Sequence, residues 1–104
     1  ISINSEVIMK TQIVFRHLKS NSELNDAAME EAKNLEKYYD GITSTIIEFT
    51  NETDTEKVVE FTVQVQGSTL VSKESSDNFQ KSLAEAADKM VRQIKKWKTK
   101  TGKN

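Results

Sequence analysis

The chain has 104 residues, with 15 Lys and Arg against 16 Asp and Glu, a formal charge of -1, no Cys and no Pro. That balance gives no whole-chain argument for a polyanionic partner, and the lack of Cys removes disulfides, thiolate nucleophiles and Cys-based zinc sites. No apolar run approaches the roughly 18 residues of a membrane span, and the start, ISINSEVIMK, has no basic region followed by an apolar one, so a soluble cytoplasmic protein is expected.

Residues 1-8 read as an extension or remnant upstream of Met9, residues 9-100 as one α+β domain, and residues 101-104 as a tail. From Lys10 to Arg16, Ile13 and Phe15 alternate with Gln12, Val14 and Arg16, the pattern of a half-buried strand. Ser20 with Glu23 has capping-box spacing, and Leu24, Ala28, Leu35 and Tyr39 mark one face of a helix over about Asn21 to Tyr39 that stops at Tyr38-Tyr39-Asp40-Gly41. Its outer surface carries Asp26, Glu30, Lys33 and Lys37, acids first and lysines last, as the helix dipole favours.

Ile42 to Phe49 is rich in β-branched residues and reads as the second strand, with Thr50 to Glu56 as a polar loop. Lys57 to Gln66 is the clearest strand: Val59, Phe61, Val63 and Val65 face one way, and Glu60, Thr62, Gln64 and Gln66 the other. A Gly67-Ser68 turn leads to a fourth strand over Thr69 to Lys73. Asp77, with Gln80 at the third helical position, is the expected cap of a long last helix running to Lys100. Phe79, Leu83, Ala86, Met90, Ile94 and Trp97 draw its apolar stripe, and Lys81, Lys89, Arg92, Lys95 and Lys96 project away from it.

The order is β-α-β-β-β-α. A strand, crossover helix and strand require a parallel pair, and the short turns that follow make an antiparallel meander, so the expectation is a four-stranded mixed sheet with two helices on one face and the other face open.

Little in the sequence points to catalysis or a cofactor. The one His, His17, has no partner spacing for a metal or a nucleophile, and Gly41, Gly67 and Gly102 form no phosphate-cradling loop. Asn51-Glu52-Thr53 matches a glycosylation sequon but follows no secretory signal. Trp97 lies on the apolar stripe, which favours packing at the rim of the core over stacking on a base, and Tyr39 likewise reads as core. Tyr38 suits either role.

Charge is unevenly distributed. Residues 77-104 hold eight basic and three acidic residues, a net of +5, which leaves -6 for residues 1-76. Such segregation fits an electrostatic footprint for RNA, read through its backbone and shape; it equally fits a lysine-rich helix end that complements its own dipole and keeps the chain in solution.

Two segments narrow the choice. Asn34-Leu35-Glu36-Lys37-Tyr38-Tyr39-Asp40-Gly41-Ile42, and Asp77-Asn78-Phe79 leading to Lys89-Met90-Val91-Arg92-Gln93-Ile94-Lys95-Lys96-Trp97-Lys98, together resemble the bacterial hibernation-promoting factor and ribosome-associated inhibitor family (sigma-54 modulation proteins), in its short form. The resemblance runs from Met9 to about Lys100. It implies a fold similar to double-stranded RNA-binding domains, and a non-enzymatic ribosome hibernation factor of stationary phase and stress. Such a factor binds the small ribosomal subunit at the decoding channel and inhibits translation by blocking messenger and transfer RNA sites, and the short form in relatives acts beside a separate ribosome-pairing protein. Carried over by position, the implied ribosomal RNA contacts are Lys33, Lys37, Lys81, Lys89, Arg92, Lys95, Lys96 and Lys100. One departure stands out: family members usually place lysines along helix one, where this chain has Glu30, Glu31 and Asn34 around Lys33. The alternative is a non-ribosomal protein-interaction module using the open sheet face, Glu60, Thr62, Gln64 and Gln66, or the sheet edge.

Overall fold

A computed structural model describes residues 10–39 and 41–100. Within them the elements are β1 (Lys10–Arg16), α1 (Ser22–Tyr38), β2 (Ser44–Thr53), β3 (Glu56–Val65), β4 (Ser68–Ser76) and α2 (Phe79–Lys100). The expected extension over residues 1-8, Met9, Asp40, the tail after Lys100 and the Lys100 side chain lie outside the described residues.

The sheet has the order β1-β2-β3-β4, with β1 parallel to β2 and the remaining pairs antiparallel. Register follows from the alternation in the sequence. Ile13 lies opposite Ile47 and Phe15 opposite Phe49; across the next pair Ile47 meets Phe61, Phe49 meets Val59 and Thr45 meets Val63. A slip of one residue would turn that whole apolar set to solvent, which is why it is specified so firmly. On the same face α1 contributes Leu24, Ala28, Ala32 and Leu35, and α2 contributes Leu83, Ala86, Ala87, Met90 and Ile94, all buried. Both helices therefore cover one face. Three rings tie β1, β2 and α2 together: Phe15 stacks on Phe49 at 5.2 Å, and Phe49 meets the edge-on Phe79 at 5.6 Å.

The outer face is less polar than alternation along β3 implies. Val14, Ile46 and Val71 stand on it, Val71 44% exposed, and Val58 on the same face is buried. Arg16 and Glu48 form an ion pair across β1 and β2 there.

Several local expectations shift. The cap of α1 is Asn21 rather than Ser20, its Oδ1 accepting the Leu24 N–H at 3.0 Å. Likewise Asn78, not Asp77, caps α2, its Oδ1 accepting the Lys81 N–H at 3.0 Å. An Asn side chain satisfies an orphan amide of the first turn as well as Ser or Asp does, so neighbouring candidates compete and the sequence alone does not choose. The polar run Thr50 to Glu56 is mostly strand: β2 continues to Thr53, β3 starts at Glu56, and a register shift at Asn51/Thr53 accommodates the tight turn. Lys57 holds that end, its Nζ donating to Asn51 Oδ1 at 2.8 Å and lying 5.9 Å from the centre of the Phe79 ring.

The next turn sits at Gln66-Gly67, one residue early, with Gly67 at φ 81°, where a side chain would be strained. The fourth strand starts at Ser68 and runs three residues past Lys73, to Ser76. At the end of α1, Tyr39 leaves the helix in extended backbone (φ -152°, ψ 116°) while its N–H still reaches the Leu35 carbonyl. Glycine at position 41 is favoured for a different reason than a left-handed cap: a β-carbon there would overlap the outer end of the Tyr39 ring and force it to shift.

Candidate nucleic-acid interface

The two helices run parallel. Both start at the end of the sheet where β1 and β4 finish, and both end together, where Tyr38 of α1 and Tyr39 just after it meet Lys95, Trp97 and Lys98 of α2. Their carbonyl-rich termini therefore share one end of the molecule, and cations there are favoured by both dipoles.

Polar contacts with β3 and β4 fix the rotational setting of α2, and two of them use Ser72 and Glu74, side chains on the core side of the sheet. Ser72 Oγ donates to the Ala86 carbonyl at 2.7 Å, and the fully buried Ser82 donates from Oγ to the Lys57 carbonyl at 2.8 Å. Gln93 Nε2 donates to the Val71 carbonyl on the edge of β4 at 2.5 Å, and Lys89 pairs with Glu74 at 2.6 Å. With the apolar stripe against the sheet and these ties on one flank, the opposite side of α2 is held toward solvent.

Each basic residue expected from the sequence is exposed where its side chain is described: Lys33, Lys37, Lys81, Lys89, Arg92, Lys95 and Lys96. They do not form one cluster. Lys89, Arg92, Lys95 and Lys96 line a shallow depression together with Gln93. Lys81 lies two to three turns before this group, about 20 Å from Lys95 along the axis at 1.5 Å per residue. Lys33 and Lys37 face away from the core on α1, on the side that carries Asp26 and Glu30, although Lys37 stands at the shared helix end next to Tyr38.

The charges are unequally available. Lys89 shares a second depression with Glu52, Glu56, Glu74 and Lys73, so its field is largely offset locally. Arg92 pairs with Asp88 one turn back at 2.8 Å, both side chains mostly exposed, a contact worth roughly 0 to 1 kcal/mol and easily exchanged for a phosphate. Lys96, Lys33, Lys37 and Lys81 make no ion pair among the described residues. Lys95 instead holds its ammonium 5.7 Å from the Tyr38 ring centre, and Lys98, absent from the sequence-based set, holds its own 5.8 Å from Tyr38 and 5.3 Å from Tyr39. Lys98 falls at the border of the apolar stripe on a helical projection, so only the neighbouring helix reveals its place. Trp97 packs edge-on to Tyr39 at 5.4 Å and is half-buried, as its stripe position suggests.

Glu31, on α1, is the acid whose environment is changed. Burial pushes its carboxyl above the usual carboxylate range, the neighbouring Glu30 charge adds to this, and a hydrogen bond with Asn34 partly opposes it. A raised folded-state value means the folded chain holds the proton more tightly, so stability falls as pH rises from 4.5 through that value. Glu31→Gln should therefore raise the thermal midpoint at neutral pH. The gain over wild type should shrink to nothing below about pH 4, where Glu31 is protonated in folded and unfolded chains alike; melting both proteins across pH 3.5 to 7 checks it.

His17, the one histidine, is an exposed residue just past β1 with φ 61°, so its backbone makes a left-handed turn. Among the described residues no three His, Asp or Glu side chains group as a metal site.

Comparison with known proteins decides the family. The model of the family described as sigma 54 modulation protein / S30EA ribosomal protein matches residues 11–102. The chain belongs to this family. Two solved structures share the S30EA fold with it. A ribosomal subunit interface protein from Coxiella burnetii superposes with a TM-score of 0.80 at 21% identity, covering 88% of this chain and 99% of that one. The N-terminal domain of Thermus thermophilus Protein Y superposes at 0.74 with 17% identity, covering 83% and 94%. No curated protein matches this S30EA chain by sequence at a significant level.

Proposed function

We propose that this S30EA-family chain is a ribosome hibernation factor of the cytoplasm, acting under stress and in stationary phase, that binds ribosomal RNA of the small subunit in the decoding channel and silences translation by occupying the messenger and transfer RNA sites. The observation that carries the reading is the basic end of α2, Lys89 to Lys98, held outward on a family fold whose relatives include a protein named for the ribosomal subunit interface. A rigid basic helix face recognises folded RNA by backbone and shape, and occlusion needs no reacting group. In this reading Arg92, Lys95 and Lys96 make the main contacts with Lys98 beside them, Lys89 and Lys100 add to them, and Lys33, Lys37 and Lys81 lie at the margin.

Sedimentation with ribosomes tests this directly. The chain should travel with small subunits at low salt, leave them as salt rises, and compete with messenger RNA and P-site transfer RNA for the subunit. Failure to co-sediment at low salt, or binding indifferent to both RNAs, defeats the proposal.

A further inference from the structure

The two tyrosines that close α1 point to different environments. Tyr39 turns inward, half-buried, with its ring against Trp97. Tyr38, three residues after the buried Leu35, stands at the border of the helix's apolar stripe on the side of α2 and is 38% exposed, the most exposed aromatic side chain among the described residues. Core packing does not explain a large ring there. What surrounds it is cationic: the ammonium groups of Lys95 and Lys98 lie 5.7 and 5.8 Å from its centre, and Lys37 precedes it in the chain.

We infer that Tyr38 is a stacking platform for an unpaired RNA base, with Lys95 and Lys98 taking the phosphates on either side of that nucleotide. The inference rests on the ribosomal reading above and adds to it a preference for a bulged or looped nucleotide over continuous duplex. A paired base keeps its faces inside the helix and offers a protein only edges and backbone; an unpaired one offers a flat surface that a phenol ring accepts regardless of sequence. In the free protein the two ammonium groups keep the ring company through its π-face. Phosphates are stronger partners for them, so the arrival of a nucleotide draws the lysines off the ring as the base moves on. An acidic peptide would satisfy the lysines and leave the ring face without a use.

The test compares two RNA hairpins of equal length, one with a single bulged 2-aminopurine and one fully paired, titrated with the intact chain over a salt series. The bulged hairpin should bind more tightly, with the 2-aminopurine fluorescence quenched. Tyr38→Ala should weaken the bulged complex by roughly 10-fold without changing its salt slope and leave the paired complex unaltered, because stacking releases no counterions. Tyr38→Phe should behave as wild type, and Lys95→Gln with Lys98→Gln should lower the slope for both hairpins. No loss with Tyr38→Ala, or equal loss on both hairpins, overturns the platform. Co-sedimentation of the same variants with small subunits separates the two levels of the argument. Wild type that leaves ribosomes unbound removes both readings, whereas ribosome binding undiminished by Tyr38→Ala removes only this one.

Discussion

Reversing Arg92 and Lys96 to Glu together should weaken binding to ribosomes by roughly 30-fold at 0.15 M salt and lower the log-log salt slope by about 1.5, the share of two phosphate contacts. About five contacts for the whole surface give a starting slope of roughly -3.5 to -4.5. Both side chains are exposed on the outward side of α2, and the Arg92–Asp88 pair is too solvated to matter for folding, so the variant should melt close to wild type. The same reversal at Lys33 and Lys37 should cost much less, since Asp26 and Glu30 already make that side of α1 a poor place for phosphate. A slope that does not move would mean that the lysines of α2 serve solubility, and binding that persists at high salt would direct attention to the outer sheet face.

Phe49→Ala should be the most damaging single change to the fold. Phe49 is fully buried, stacked on Phe15 of β1 and edge-on to Phe79 of α2, and it faces Val59 of β3. Truncating it removes the joint between three elements and leaves a hole that a sheet cannot close, at a cost of about 3 to 5 kcal/mol. Against a total stability of about 5 to 15 kcal/mol this is a large share of the margin, and the thermal midpoint should fall by about 12 °C or more, at about 4 to 8 °C for each kcal/mol. Val71→Ser, on the outer face and 44% exposed, is the comparison that should stay within about 0.5 kcal/mol. Similar losses from the two changes, measured by thermal and denaturant melts, would contradict the assignment of the two sheet faces.

Much of this architecture was legible in the residue pattern, for physical reasons. Val59, Phe61, Val63 and Val65 alternate without interruption because β3 lies inside the sheet with one face against the helices, and Leu83, Ala86, Met90 and Ile94 keep helical spacing because α2 lies flat on that face. What escaped depends on partners distant in sequence or on rivalry between neighbours. Ser20 and Asn21, or Asp77 and Asn78, offer the same capping chemistry, and only the backbone conformation chooses. Thr50 to Thr53 looks like a loop by composition yet is strand because β3 pairs with it. At the candidate site, the exposed basic residues of α2 were readable one by one, and the half-buried Lys98 was not. Their inequality was not: the offset of Lys89 by Glu74, and the meeting of Lys95 and Lys98 on Tyr38, require the sheet edge and the second helix to be in place.

The ties between α2 and the sheet, Ser72 to Ala86, Ser82 to Lys57, Gln93 to Val71 and Lys89 to Glu74, also bear on the thermodynamics of association. A basic helix that had to settle on its scaffold as RNA arrived would lose backbone and side-chain freedom at that moment, and its affinity would be lower by that amount. Here the helix axis and its rotation are set when the chain folds. Docking is then a rigid-body event for the protein backbone, in which only the lysine side chains rearrange, and long-range attraction to the phosphates is free to speed the encounter.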